Sequence, residues 1–394
     1  MKLLIKQILF SLVIISFSSC NQNDSSSINS QANQYSKLIS SMKSKGLTTG
    51  NILVYENGEI IFQSAEGLRS IDPIDSLTLN SQFRLASVSK QFTAVSIMKL
   101  KQEGRLDYDQ KVNTILKEFP YNNVTIKHLL KHTSGIADYI EIIEEKFVTK
   151  DSTKRYILGN NEILDIFYDT NPMLNFQPGE EWEYSNTGYL VLATIVEEIS
   201  NQHFRDYLKE NIFEPLGMKD TTLYNYKEGN DLDMPNRVFG YKKSKDDKSY
   251  EFNDYHVVND VRGDGGIYST LNDLYKWNMA LINYKVLPKE YLDEAWTLGS
   301  LNNGKKTGFA ERPEYSRYGY GWFLSDNTKP KYIFHSGGWV GFATYLYNEI
   351  DTNSGFIILT NNSSRVILDV IEGINGIREE AQIIGMIPHT TVSE

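Results

Sequence analysis

Phe83-Arg84-Leu85-Ala86-Ser87-Val88-Ser89-Lys90, continuing into Gln91-Phe92-Thr93-Ala94-Val95, is the stretch from which the architecture can be read. It has the pattern of an extended segment feeding the first turn of a buried helix. Val88, Phe92 and Val95 fall at i, i+4 and i+7 and make one apolar face at helical period. Ser87 and Lys90, three apart, project from neighbouring positions on another face. Serine is a poor nucleophile unless a base sits beside it, so a hydroxyl with an amine one turn on is a candidate activated nucleophile. The spacing alone is unspecific. It recurs at Ser40/Lys43 and Ser96/Lys99, where ordinary helix faces account for it.

Upstream, Asn51 to Tyr55 and Ile60 to Phe62 flank Asn57-Gly58, a strong two-residue hairpin signal. Residues 35–47 have helical periodicity. Downstream, Gly104 ends the serine helix. From about 105 to 260, helical stretches (125–131, 140–148, 161–168, 187–200, 203–213) alternate with polar loops, which predicts an all-helical insertion. After Asp264-Gly265-Gly266 comes a helix, Leu271 to Leu281. Extended stretches then return at Tyr320–Ser325, Tyr332–His335, Phe342–Glu349 and Phe356–Thr360, and a closing helix opens at Ile367. Strands at both ends around a helical middle predict an α/β (α+β) fold. Its centre is an antiparallel sheet built from both chain ends, flanked by helices, with the insertion packed to one side.

The first residues are of another kind. Lys2 and Lys6 precede the apolar run Ile8 to Phe17, then Ser18-Ser19-Cys20-Asn21. A charged start, a short apolar core and small residues at its end form a secretory signal, too short to span a bilayer. Small residues directly before the sole cysteine resemble a bacterial lipobox. The expected organisation is a lipoprotein signal at 1–20 with Cys20 lipidated, a flexible Ser/Asn/Gln-rich tether at 21–33, and a folded domain at 34–380. That puts the protein in the bacterial cell envelope, facing the periplasm and held to the membrane by lipid. The alternative is an ordinary signal peptide in which Cys20 is incidental. One cysteine allows no intramolecular disulfide.

A net charge of −10 argues against nucleic acid as a partner. His128 and His132 stand i, i+4, but Leu129 follows the first where a zinc-protease helix carries glutamate, so no metal site is expected. Neither Gly-x-Ser-x-Gly nor a phosphate-binding or dinucleotide-binding glycine loop occurs, and no cofactor is expected. The aromatic residues Tyr139, Phe147, Tyr156, Phe176, Tyr224 and Tyr226 either line an apolar cleft or simply pack.

Two further stretches bear on chemistry. Pro178-Gly179-Glu180-Glu181-Trp182-Glu183-Tyr184-Ser185-Asn186 is a turn leading into a helix that Asn186 or Thr187 can cap. A tyrosine at that junction, beside an ammonium, has its phenolate favoured and can act as a base. Ordinary packing is the competing reading in a chain with 25 tyrosines. His335-Ser336-Gly337-Gly338 ends a predicted strand. Glycines there let a substrate approach the backbone, and a free N–H at Gly338 can pair with that of Ser87 as an oxyanion hole. Each such donor is typically worth ~10²–10³ in rate.

Ser87-x-x-Lys90, Tyr184-x-Asn186 and His335-x-Gly337, in that order, resemble the three active-site motifs of the serine β-lactamase and penicillin-binding superfamily. The resemblance is to the branch holding class C β-lactamases, D-Ala-D-Ala carboxypeptidases and β-lactamase-fold esterases. Leu129-Leu130-Lys131-His132-Thr133-Ser134-Gly135-Ile136, Phe213-Glu214-Pro215-Leu216-Gly217-Met218 and Gly265-Gly266-Ile267-Tyr268-Ser269-Thr270 agree with that branch. The likeness extends over roughly residues 35 to 375.

The resemblance implies Ser87 as the nucleophile that forms an acyl-enzyme. It implies that Lys90 accepts its proton or holds the base anionic, and that Tyr184 acts as base and then as acid to the leaving group. Asn186 would bond the lysine and the substrate, and His335 and Gly337 would line the opposite wall. The backbone N–H groups of Ser87 and Gly338 would form the oxyanion hole. One departure stands out: many relatives begin the third motif with lysine, a permanent cation, whereas histidine has a reference pKa near 6.5. The implied function is hydrolysis of amide or ester bonds, in a cell-wall D-amino-acid peptide or a small ester, with β-lactam hydrolysis as a lesser alternative. A non-catalytic β-lactam- or muropeptide-binding lipoprotein is the reading from another class; the complete motif set favours the enzyme.

Overall fold

A seven-stranded antiparallel sheet joins the two ends of the chain. In a computed structural model, residues 20–44, 50–147, 157–225, 234–246, 249–309, 317–325, 330–362 and 366–383 are described. The apolar run of the expected signal lies outside these residues. The sheet order is Arg317–Tyr318, Phe323–Leu324, Tyr332–Trp339, Phe342–Glu349, Ser354–Thr360, Gly50–Glu56, Glu59–Glu66. Asn51 pairs with Leu359 and Val54 with Phe356, so the first strand of the domain lies against the last. At the hairpin, Asn57 and Gly58 both have positive φ (51° and 78°), as the predicted tight turn requires.

Period-two alternation assigns the two faces of the Gly50–Glu56 strand. Ile52 and Val54 face a small core with Tyr35, Ile39 and Met42 from the first helix and Val370 and Ile374 from the last. Leu53 and Tyr55 face the main core, which runs on through Phe92 to the helical side of the molecule. Arg378 of the Val366–Ile383 helix is buried between Glu56 and Glu349, at 2.7 and 2.9 Å.

Two expectations need correction. The first helix runs Cys20–Ser44 and takes in residues 21–33, expected as a flexible tether. No glycine or proline interrupts it, and Gln31, Tyr35, Ile39 and Met42 form a buried stripe that holds its second half. The insertion is not all-helical either. It contains the helices Ile126–Leu130, Tyr139–Phe147, Asn160–Thr170, Asn186–Ser200 and Phe204–Leu208. It also contains Thr222–Leu223, which pairs with Ile267–Ser269, itself paired with Phe83–Arg84. A Tyr241–Lys243/Tyr250–Phe252 hairpin completes it. These strands are two or three residues long and, except in the hairpin, pair with distant segments, so they leave no alternation to read. The helix Lys289–Ala295 was likewise unmarked.

Among the described residues no helix is long and apolar enough to cross a membrane. The Lys90–Gln102 helix packs against Asn186–Ser200, and Phe92 stacks on Trp277 with centroids 4.3 Å apart. The serine helix is thus held between the insertion and the Leu271–Ile282 helix.

Candidate active site

Ser87 lies in a 3-10 turn, Ala86–Ser89, and the α-helix proper begins at Lys90. The turn is clamped from both sides. Leu85 N donates to Ile267 O (2.8 Å), Thr344 Oγ1 donates to Leu85 O (2.8 Å), and Thr93 Oγ1 donates to Gly263 O (2.6 Å). Within the turn Ala86 has φ +49°, the left-handed region that a Cβ disfavours. Such a conformation costs of order 1–3 kcal/mol and survives only where its surroundings impose it. A side chain at Gly337 would place Cβ 2.2 Å from Leu85 O, whereas one at Gly338 would meet nothing. Gly337 is therefore a packing glycine that lets the Tyr332–Trp339 strand press on the Ser87 turn; of the two, Gly338 is the one open to the cleft.

Lys90 is fully buried and its Nζ makes three hydrogen bonds: Asn186 Oδ1 at 2.7 Å, Asp264 O at 3.0 Å and Ser87 Oγ at 3.3 Å. The first two partners can only accept, so they fix the amine with its third position facing the serine hydroxyl. The Asn186 amide is oriented in turn. Asp138 Oδ2 accepts from Asn186 Nδ2 (2.9 Å) and from Asn186 N (2.8 Å). The structural N-cap of this helix is Ser185, whose side chain makes no capping bond, so Asp138 supplies the cap that sequence reading assigned to Asn186 or Thr187. Thr187 Oγ1 instead donates to Ala137 O (2.7 Å) and accepts from Tyr139 N (2.8 Å), tying residues 137–139 across the helix start.

Tyr184 presents its ring to Lys90, with Nζ 4.9 Å from the ring centroid. Behind it lies His132, with its ring 4.3 Å from Tyr184 and 4.6 Å from Tyr318. His132 Nδ1 accepts from Ser185 N, and burial, then the Lys90 charge, holds this ring well below the usual histidine range. It is a neutral packing residue. His128 accepts at its Nδ1 from Thr125 N in a helix cap, and among the described residues no group of side chains could hold a metal.

His335 is 1% exposed. Its Nδ1 lies 2.6 Å from Ser336 O, which can only accept, so that nitrogen carries the proton and Nε2 accepts from the Tyr318 hydroxyl at 3.1 Å. Burial, then the Lys90 charge, pushes its pKa down to about 3, against the hydrogen bond to Ser336. The ring is neutral at physiological pH, and with the carbonyl bond it leaves no cation for a substrate carboxylate.

A cleft of about 150 Å³ opens over Ser87, with Asn186 and Gly338 on its walls. Tyr139, Asp264, Arg84 and Trp339 also line it. Asp264 is buried and accepts from the Tyr139 hydroxyl at 2.8 Å; burial raises its pKa against the opposing Lys90 charge. Of the aromatic residues that sequence reading weighed for a cleft, Tyr139 is the one among the described residues that lines it. Phe176 and Tyr224 are buried without lining it, while Tyr156, Tyr226 and the side chain of Phe147 lie outside the described residues. The geometry thus brings Ser87, Lys90, Tyr184, Asn186, His335 and Gly338 into one neighbourhood. Asp138 and Arg84 join them unannounced. Arg84 stood within the first stretch quoted, and Asp138 carried no signal, because its role depends on a helix 48 residues away.

A family model described as Beta-lactamase matches residues 36–367. Penicillin-binding protein 4* of Bacillus subtilis (strain 168) is 35% identical over 332 residues, covering 82% of this chain and 70% of that protein. Among solved structures, the penicillin binding protein from Bacillus halodurans superposes with a TM-score of 0.72 at 24% identity, covering 87% of this chain and 98% of that one. The D-amino acid amidase from Ochrobactrum anthropi SV3, complexed with L-phenylalanine amide, superposes at 0.73 and 21% identity, covering 90% and 99%. At these identities the two structures speak to the fold.

Proposed function

Because the chain belongs to the beta-lactamase family, we propose that it is a serine hydrolase working through an acyl-enzyme on Ser87, with D-amino-acid amides or peptides as substrates. The observation that carries this is the bonding of Lys90, whose two obligate acceptors turn the third Nζ position toward Ser87 Oγ. Lys90 and Tyr184 together take the serine proton as Oγ attacks the carbonyl carbon. The oxyanion forms beside the N–H groups of Ser87 and Gly338. The proton then passes, through the Lys90–Tyr184 pair, to the leaving nitrogen as the C–N bond breaks. Water attacks the ester on Ser87 and regenerates the hydroxyl.

The relatives support the substrate side, since they include penicillin-binding proteins and an enzyme that acts on D-amino acid amides. The neutrality of His335 supports a second reading, an esterase for small uncharged esters, because no cation stands at the third motif. The test is steady-state hydrolysis of D-phenylalanine amide, a D-alanyl-D-alanine peptide and p-nitrophenyl butyrate by wild type and Ser87→Ala. Loss of all turnover in a folded Ser87→Ala protein is expected; retained turnover overturns the reading.

We also propose that Cys20 is lipidated and holds the domain at the envelope membrane. The supporting feature is its place after Ser18-Ser19 at the end of a short apolar run. Globomycin, which blocks lipoprotein signal processing, should make the precursor accumulate; normal processing in its presence would exclude the lipid.

A further inference from the structure

Three arginines are buried among the described residues: Arg84, Arg237 and Arg378. Arg378 lies between Glu56 and Glu349, and Arg237 is paired with Asp254. Arg84 differs. It is 3% exposed, its Nη2 donates to Asn259 O at 3.3 Å, and its Nε is buried with no acceptor. The carboxylates nearest in influence are committed elsewhere, Asp254 to Arg237 and Asp264 to the Tyr139 hydroxyl. A buried charge with no carboxylate in ion-pair reach among the described residues is costly, and of the five donors a guanidinium offers, only one on Arg84 has a protein acceptor.

Arg84 lines the Ser87 cleft and, among the described residues that do so, it is the only cation. Its position is held from behind. The Phe83–Arg84 strand pairs with Ile267–Ser269, and the guanidinium carbon lies 6.0 Å from the Trp339 ring. Trp339 Nε1 donates to Asn259 Oδ1 at 2.8 Å, so Asn259 braces both residues. Ile140, Val258 and Val261 supply apolar wall beside them.

We infer that Arg84 is a specificity-determining residue of the Ser87 cleft, its guanidinium pairing with a carboxylate on the substrate while the apolar wall takes a side chain. The inference rests on the reading of Ser87 as nucleophile. It supplies the cation that His335 does not, and it selects small amides bearing a free carboxylate over their uncharged counterparts.

The test is calorimetric binding of N-acetyl-D-alanine and N-acetyl-D-alaninamide to the Ser87→Ala protein, alone and with Arg84→Gln or Arg84→Lys. The acid should bind at least about tenfold more tightly than the amide, as a charge-assisted pair does. Arg84→Gln should erase that preference and leave amide affinity within about twofold. Arg84→Lys should keep part of it, since lysine retains charge but loses the planar fork. Equal binding of the two ligands, no binding of either, or a preference that survives Arg84→Gln overturns the inference. Should Arg84→Gln fail to fold, the Arg84 Nε–H resonance of the Ser87→Ala protein decides: it should shift with the acid and not with the amide, and shifting with neither overturns it. Turnover that survives Ser87→Ala would sink the nucleophile reading alone, leaving these binding constants interpretable.

Discussion

Asp138 illustrates how one side chain without chemistry of its own can set the chemistry of others. Its Oδ2 takes both the backbone and the side-chain N–H of Asn186, so the Asn186 oxygen must face Lys90. Asp138→Ala should cost about 1 kcal/mol through the lost helix cap. It should also lower kcat more than tenfold, because the amide is then free to flip; a changed melting temperature with unchanged kcat would reject the positioning role. Tyr184→Phe should lower kcat by about 10²–10⁴ with KM little changed, the range for a lost general acid–base; a change confined to KM would reject that role. His335 makes a prediction in the opposite sense. The native ring, with a pKa near 3, refuses a proton that the unfolded chain accepts below about 6.5. The stability this site contributes is full above about 6.5 and declines as pH falls toward 3. In NMR spectra the His335 ring signals should stay flat from pH 8 to 4.5, and a titration centred near 6.5 would contradict the buried, neutral ring.

At the scale of elements, the legible features were local ones. The Asn57-Gly58 turn, the serine helix and the Phe342–Glu349 strand each carry their pattern within a few consecutive residues. The Thr222–Leu223 and Ile267–Ser269 strands do not, since Thr222 finds Tyr268 only after the fold brings them together. The glycines of the third motif make the same point. Both read as places for substrate, yet Gly337 is required by Leu85 O and Thr344 on the protein side. Only the N-terminal part of the first helix was missed, its second half having shown helical periodicity, because Ser, Asn and Gln neither favour nor forbid a helix strongly. Limited proteolysis should therefore spare residues 31–44, and rapid cleavage there would restore a loose segment. The closing helix is joined to the sheet through one buried charge cluster. Arg378→Met should destabilise the fold by about 3–5 kcal/mol, since Glu56 and Glu349 lose the cation between them. A melting temperature within a degree of wild type would show that the cluster is idle.

The whole molecule holds its site at the meeting of three parts. The sheet built from both chain ends brings Gly338, the insertion brings Tyr184 and Asn186, and the serine turn lies between them under strain at Ala86. From sequence, it was the ordered set of three short motifs, through the resemblance it carries, that pointed to this meeting; the third motif lies within the Tyr332–Trp339 strand, not past its end as expected. The supporting residues were not legible, because Asp138, Arg84 and Asp264 act across distances that only the fold closes. Covalent acylation of Ser87 is the step on which the proposed chemistry stands. The direct measurement is the intact mass of the protein after incubation with benzylpenicillin, followed by peptide mapping, with Ser87→Ala as control. An adduct of one ligand mass is expected, confined to the peptide carrying Ser87 and absent from the variant, or consumption of the ligand that only wild type supports. An adduct on Ser87→Ala, or a wild-type protein that neither holds nor consumes the ligand and cleaves no amide or ester, would contradict it.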